Sequence, residues 1–189
     1  PGESCGIMFD YKNFHELEQA TVAFGQGISV TPLQLVTAIS ACVNGGYLLQ
    51  PHILKEVRNN NNEIIYQAKR KVKRQVIKEE TSKKVRDALE SVVTDGGGRN
   101  AYIDGYRIGG KTGTAQKAVN GSYVGGGYIL SFVGIAPIDD PQIVLYIAMD
   151  NPKNCIQYGG TTVAPIARKM LLDILPALNV KKVKSQRQK

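Results

Sequence analysis

No run of about 18 apolar residues occurs in this 189-residue sequence, so no segment reads as a membrane-spanning helix. Cysteine and histidine are scarce. Cys5, Cys42 and Cys155 stand far apart, and His15 and His52 are isolated. That excludes the close ligand spacing of a zinc site, and neither metal nor cofactor is assigned. The pairing of the three thiols is left open. No internal repeat is visible, which excludes a solenoid or propeller. The phosphate-binding loop is missing in context: Gly105 and Gly110-Lys111-Thr112 have its glycine spacing, but Lys111-Thr112 runs into Gly113 and a strand pattern. The helix whose N-terminus would hold a phosphate is not there. The opening Pro1-Gly2-Glu3 resembles neither an initiator nor a signal peptide, and the chain reads as cut from a longer one.

What is present is enough for one domain with a real core, since 42% of residues are hydrophobic. The formal charge of +8 is local to two runs, Lys69-Arg70-Lys71-Val72-Lys73-Arg74 and the tail 181–189. Without the ten cations of those runs, acidic side chains outnumber basic ones. No aromatic residue is interleaved in either run, so they read as solvated surface or linker rather than a nucleic-acid face.

Residues 1–20 carry few periodic apolar residues and read as irregular. Gly25 and Gly27 flank Gln26 and mark a backbone bend, read as a plain turn. Thr31 caps a helix with Pro32 at its first position and Gln34 completing a capping box; Leu33 to Val43 is apolar nearly all round and reads as buried, with Cys42 in the core. Asn44-Gly45-Gly46 ends it. Residues 47–57 and 63–72 read as two strands of a projecting hairpin with a mobile tip at Asn59 to Asn62. Val85, Leu89, Val92 and Val93 recur at helical spacing and place an amphipathic helix over 79–94. Asp95-Gly96-Gly97-Gly98 stops it and reads as a flexible connection to a strand starting near Tyr106.

The sheet core is expected to be three consecutive strands: Gly109 to Gln116, Tyr128 to Ala136 and Ile143 to Met149, the latter two antiparallel across a short link and covered on both faces. Residues 118–127 read as a loop overhanging the first. A helix from 162 to 175 packs its apolar stripe on the sheet, and Pro176 ends it. The fold class is therefore α+β, an antiparallel sheet flanked by helices.

The chain is organised around Gly109-Gly110-Lys111-Thr112-Gly113-Thr114-Ala115-Gln116. All eight are small or polar, although apolar strand patterns follow. Alternation sets Thr112 and Thr114 on one face and Lys111 on the other or at the rim, and Gly113 leaves the backbone between the hydroxyls open. Two hydroxyls, a cation and free main-chain groups suit an anionic, peptide-like ligand.

Taken with Ala20 to Gly27, Val30 to Leu35, Asn44-Gly45-Gly46, Ser131-Phe132-Val133-Gly134 and Tyr158-Gly159-Gly160, this stretch resembles the C-terminal part of the transpeptidase domain of class B penicillin-binding proteins. The resemblance covers residues 1–178, leaves 179–189 as a basic linker or tail, and is nearest the division and sporulation type. It implies a β-lactamase/transpeptidase-like fold, a serine acyl-enzyme that crosslinks peptidoglycan stem peptides, and acylation by β-lactams. It also implies division or sporulation membrane proteins as partners, and a place on the extracytoplasmic face of the bacterial membrane, held by an N-terminal anchor outside this chain. By resemblance Lys111 and Thr114 are catalytic, Thr114 through its N–H in the oxyanion hole. Thr112, Gly113, Thr114 and Gln116 bind substrate, with Tyr158 and Gly159 bordering the cleft more loosely. The departure from the family pattern is that no serine here is followed by lysine three residues on or asparagine two residues on. The nucleophile is therefore expected upstream of Pro1, and the chain alone is expected to be inactive. A non-catalytic β-lactam sensor or wall-assembly scaffold of the same fold is the alternative.

Overall fold

The computed structural model describes residues 4–183 apart from 11, 13, 24 and 118–126. Two helices come first, α1 (Glu16–Ala23) and α2 (Pro32–Val43). α1 corrects the irregular reading of residues 1–20. Glu16, Leu17, Glu18, Gln19 and Ala20 favour a helix intrinsically, but α1 buries no residue, so it carries no apolar stripe for periodicity to find. The bend beyond it is as expected, with Gly25 and Gly27 at φ of +87° and +80°. Ser29 closes the turn by exchanging two main-chain hydrogen bonds with Ile7.

The capping box of α2 is formed: Gln34 N–H donates to Thr31 Oγ1 (3.1 Å) and Thr31 N–H donates to Gln34 Oε1 (2.9 Å). Contrary to the fully buried reading, only Ala41 and Val43 of α2 are buried, and Leu33 is 50% exposed. Cys42 is half-buried, and Cys5, Cys42 and Cys155 are free thiols. α2 hands over to α3 (Glu79–Thr94) through a built joint. Gly45 N–H donates to the fully buried Ser82 Oγ (3.1 Å), and Arg86 donates to Val43 O (2.9 Å). A side chain at Gly46 would collide with Ile77 O.

The segment between these helices is one long hairpin with two ladders rather than two continuous strands. β1 (Tyr47–Leu49) pairs with β4 (Val72–Gln75), and β2 (Glu56–Arg58) with β3 (Ile64–Gln67), both antiparallel. Pro51, which has no N–H to give a ladder, lies in the gap. The tip is closed by side chains: Asn59 Oδ1 accepts from Asn61 N–H and Glu63 N–H, each at 3.0 Å.

β5 (Gly109–Gln116), β6 (Tyr128–Ala136) and β7 (Ile143–Asp150) form an antiparallel sheet in that order. β5 begins at Gly109 rather than near Tyr106. β6 is central and covered on both faces, as expected; β7 is an edge among the described residues and only half-buried. One face packs Leu130 and Phe132 beneath α5 (Ala164–Ala177). The other packs Val133 and Ile135 against Val43, Val85 and Leu89 of α2 and α3. The last helix is broken at buried Val163, with the short α4 (Gly159–Thr162) ahead of α5, and Pro176 sits inside the final turn of α5 rather than after it. Arg107 ties α3 to the start of β5, with Nε and Nη2 donating to the two carboxylate oxygens of Glu90 (2.7 and 2.5 Å) and Nη1 to Asp139. Val180 packs on the core and Val183 N–H donates to Gly105 O (2.8 Å), so the tail's first residues lie on the body. No helix among the described residues is long and apolar enough to cross a membrane.

Candidate active site

β5 pairs with β6 in a register without irregularity, from Gly109 opposite Ile135 to Gln116 opposite Tyr128. Its other edge meets no strand among the described residues. Continuing the register, Lys117 N–H donates to Gly127 O (2.8 Å), which fixes the alternation. Lys111, Gly113 and Ala115 turn their main-chain groups toward β6, and Thr112, Thr114 and Gln116 turn theirs to the free edge. The free edge therefore presents the N–H and C=O of Thr114.

Side chains alternate in the other sense. Lys111, Gly113 and Ala115 share a face with Ser131, Val133 and Tyr146, which is one wall of an open groove of about 750 Å³. Gln26, Ile28, Leu35 and Ile39 line it from the turn after α1 and from α2. Lys111 is exposed, and its Nζ donates to Thr112 O (2.9 Å) at the rim. Thr114 is held from the opposite face: Gly159 N–H donates to its Oγ1 at 3.2 Å. A hydroxyl that accepts this bond keeps its own proton to donate. Gln116 is exposed, and its Nε2 donates to Tyr128 Oη (3.3 Å).

Three glycines here are set by close approach rather than by φ, and of these Gly159 alone meets main-chain atoms. A Cβ at Gly113 would strike Ser131 Oγ, and one at Gly159 would come within 2.5 Å of both Gly113 O and Ser131 O. A Cβ at Gly97 would lie 2.7 Å from Tyr158 Oη. Asn100 Nδ2 donates to Gly160 O (2.8 Å). One expectation is corrected by this packing: Gly96-Gly97-Gly98 is not an open hinge, because Gly96 and Gly98 lie against Val92 and Gly97 against Tyr158. The backbone of Gly159 rests on β5 and β6. Spacing alone could not reveal this: Gly159 is 45 residues from Thr114.

Lys111, Thr112, Gly113, Thr114 and Gln116 are thus gathered on one free edge, with Gly159 behind Thr114 and Tyr158 exposed beside Gly97. The turn residue Gln26 and the strand residue Ser131 join the groove without having been singled out for it. The overhanging loop expected over 118–127 lies, but for Gly127, outside the described residues.

The sequence matches the family described as penicillin binding protein transpeptidase domain over residues 1–172. It is 53% identical over 189 residues to the stage V sporulation protein D of Bacillus subtilis (strain 168), covering 100% of this chain and 29% of that protein. It is 33% identical over 185 residues to the probable peptidoglycan D,D-transpeptidase PenA of Neisseria gonorrhoeae, covering 97% and 30%. Among solved structures it is similar to the transpeptidase domain of Burkholderia pseudomallei penicillin-binding protein 3, with a TM-score of 0.83 and 37% identity over 96% of this chain and 53% of that one. It is similar also to Mycobacterium tuberculosis penicillin-binding protein 3 complexed with ampicillin, with a TM-score of 0.88 and 29% identity over 100% and 44%. The chain thus spans under a third of these two sequence relatives and about half of the solved domains.

Proposed function

The chain belongs to the penicillin-binding protein transpeptidase family, and from that premise we propose that it forms the substrate-side wall of a serine-type peptidoglycan D,D-transpeptidase. The observation that carries this reading is the free edge of β5, where the N–H of Thr114 turns outward and the Lys111 ammonium bonds Thr112 O at the rim, with the Thr112 and Thr114 hydroxyls on the opposite face of the strand. An extended stem peptide adds to such an edge by main-chain pairing. The Thr112 and Thr114 hydroxyls donate to its carboxylate, and the retained proton of Thr114, left available by the bond from Gly159, supports that role.

In the acyl-transfer step a serine hydroxyl passes its proton to a neighbouring base and adds to the carbonyl carbon of the stem peptide; negative charge collects on the carbonyl oxygen until the peptide C–N bond breaks and the terminal amino acid leaves as its amine, taking up the proton. The outward N–H of Thr114 is one donor for that charge, and Lys111 stabilises charge across the site. The serine and its lysine come from a part of the relatives' length that this chain does not span, so the 189 residues alone are inactive. A β-lactam acylates the same serine, because its ring carbonyl and carboxylate present the same pair of groups to the edge. Localisation to the outer face of the bacterial membrane, and partner proteins of sporulation or division, follow as proposals from the relatives' names.

The test is the rate of β-lactam acylation in the longer protein. Lys111→Ala and Thr114→Val are each expected to slow it about a hundredfold, on the order of 3 kcal/mol in the transition state, with melting temperature little changed. Acylation at the unaltered rate in both would remove them from the site.

A further inference from the structure

The descending limb of the long hairpin, residues 64–75, has an edge that no strand covers among the described residues: β3 pairs only with β2, and β4 only with β1. Ala68 N–H donates to Lys55 O (2.8 Å), which turns the main-chain groups of Ala68 inward. By alternation Gln67, opposite Glu56, turns its N–H and C=O to the open side. β3 and β4 are separated by residues 68–71, which lie in no strand, so the limb offers two short open edges of four residues each, and either is a template for an added segment.

Its side chains narrow what that strand is. Ile64, Ile65 and Tyr66 are 47%, 65% and 51% exposed. Successive residues point to opposite faces, so apolar groups lie on both sides of the limb. A segment lying on a bilayer needs its apolar groups on one side; an added strand stacks side chains on both. Further along, Lys69, Arg70, Lys71, Lys73 and Arg74 enter no ion pair among the described residues, and Arg70 lies over the Tyr47 ring at 5.7 Å. Five like charges repel a second copy of the same edge and select an acidic one.

We propose that this limb is a docking edge for a partner protein, which adds an extended segment with its apolar residues along Ile64, Ile65 and Tyr66 and its acidic residues beside the cations at 69–74. It stands apart from the candidate active site. The hairpin leaves α2 after Val43, one turn past Ile39 at the groove, and no residue of 64–75 lines that groove. Docking therefore leaves the edge of β5 open.

The proposal is tested by amide hydrogen exchange on the 189-residue chain with a synthetic peptide of about twelve residues, a block of valines joined to a block of glutamates and used in either order, as long as the limb. Its lysine-for-glutamate counterpart and phosphatidylglycerol vesicles serve as controls. The acidic peptide is expected to slow exchange across residues 64–75, and neither control to do so. Gln67→Pro removes an outward N–H but spares the Ala68 to Lys55 bond, and K71E/K73E reverses charge on exposed positions. Each is expected to weaken binding tenfold or more with the melting curve retained. No slowing at 64–75, or equal slowing by vesicles, would overturn the proposal. So would binding that survives Gln67→Pro and is lost in K71E/K73E, which would mark a general polyanion patch instead.

Discussion

Gly159 is where the packing of the whole site depends on a single missing methyl group. Its backbone lies between the carbonyls of Gly113 and Ser131 while its N–H holds Thr114, so Gly159→Ala forces β5 and the α4 turn apart. A loss of about 2 kcal/mol in stability is expected, together with slower acylation in the longer protein. Thermal melting with the acylation rate checks both; an unchanged melting temperature would show that the turn is free to shift. Arg107 makes the corresponding contact at the start of β5. Its guanidinium, a quarter exposed, is bidentate on Glu90, whose side chain is 14% exposed, and the hydrogen bonds it donates to that carboxylate raise the Arg107 pKa well above its ordinary value. Arg107→Ala leaves Glu90 with an uncompensated charge and is expected to cost about 2 kcal/mol, less than a fully buried pair because water screens it. Urea unfolding measures this, and Arg107→Lys, which lacks the fork, restores only part. At Asp87 a hydrogen bond from Lys83 (2.8 Å) holds the carboxyl below the ordinary range. Its small stabilisation is complete above the unfolded carboxylate's pKa of about 4 and fades as pH falls through the lowered folded value. A carboxyl shift titrating at or above 4 would contradict the bond.

At the scale of elements, stability is set by which strand is covered. β6 carries Leu130, Phe132 and Ile135, each fully buried, whereas none of the described residues between 4 and 30 is buried. Amides of β6 are therefore expected to exchange at the global unfolding rate and those of α1 orders of magnitude faster; comparable protection in both would mean that α1 is docked more firmly than its burial allows. This contrast also explains what the sequence made legible. α2, α3 and the three strands of the sheet announce themselves through caps and apolar periodicity, which are local signals. α1 has no buried face and so no period. The two ladders of the hairpin were read as one because the break at Pro51 is a matter of pairing rather than composition. The glycines at 96–98 looked like freedom in sequence; contacts with Val92 and Tyr158 make them packing positions.

For the molecule as a whole, the Lys-Thr-Gly edge was legible as a ligand site because small polar residues interrupt an otherwise apolar sheet. The support behind it was not. Gly159, Ser131 and Gln26 reach the site through tertiary approach, and no local pattern encodes that. The wall so assembled faces an open groove, and under the proposed function its serine lies in a part of the relatives' length that the chain does not span; it covers 29% of the Bacillus subtilis protein. The most direct measurement is intact mass after incubation with a β-lactam, for the 189-residue chain and for the same gene product carrying its upstream sequence. The account predicts one covalent adduct on the longer form and none on the shorter. An adduct on the 189-residue chain would contradict it by placing the nucleophile among these residues, and absence of an adduct on both would contradict the acyl-enzyme itself.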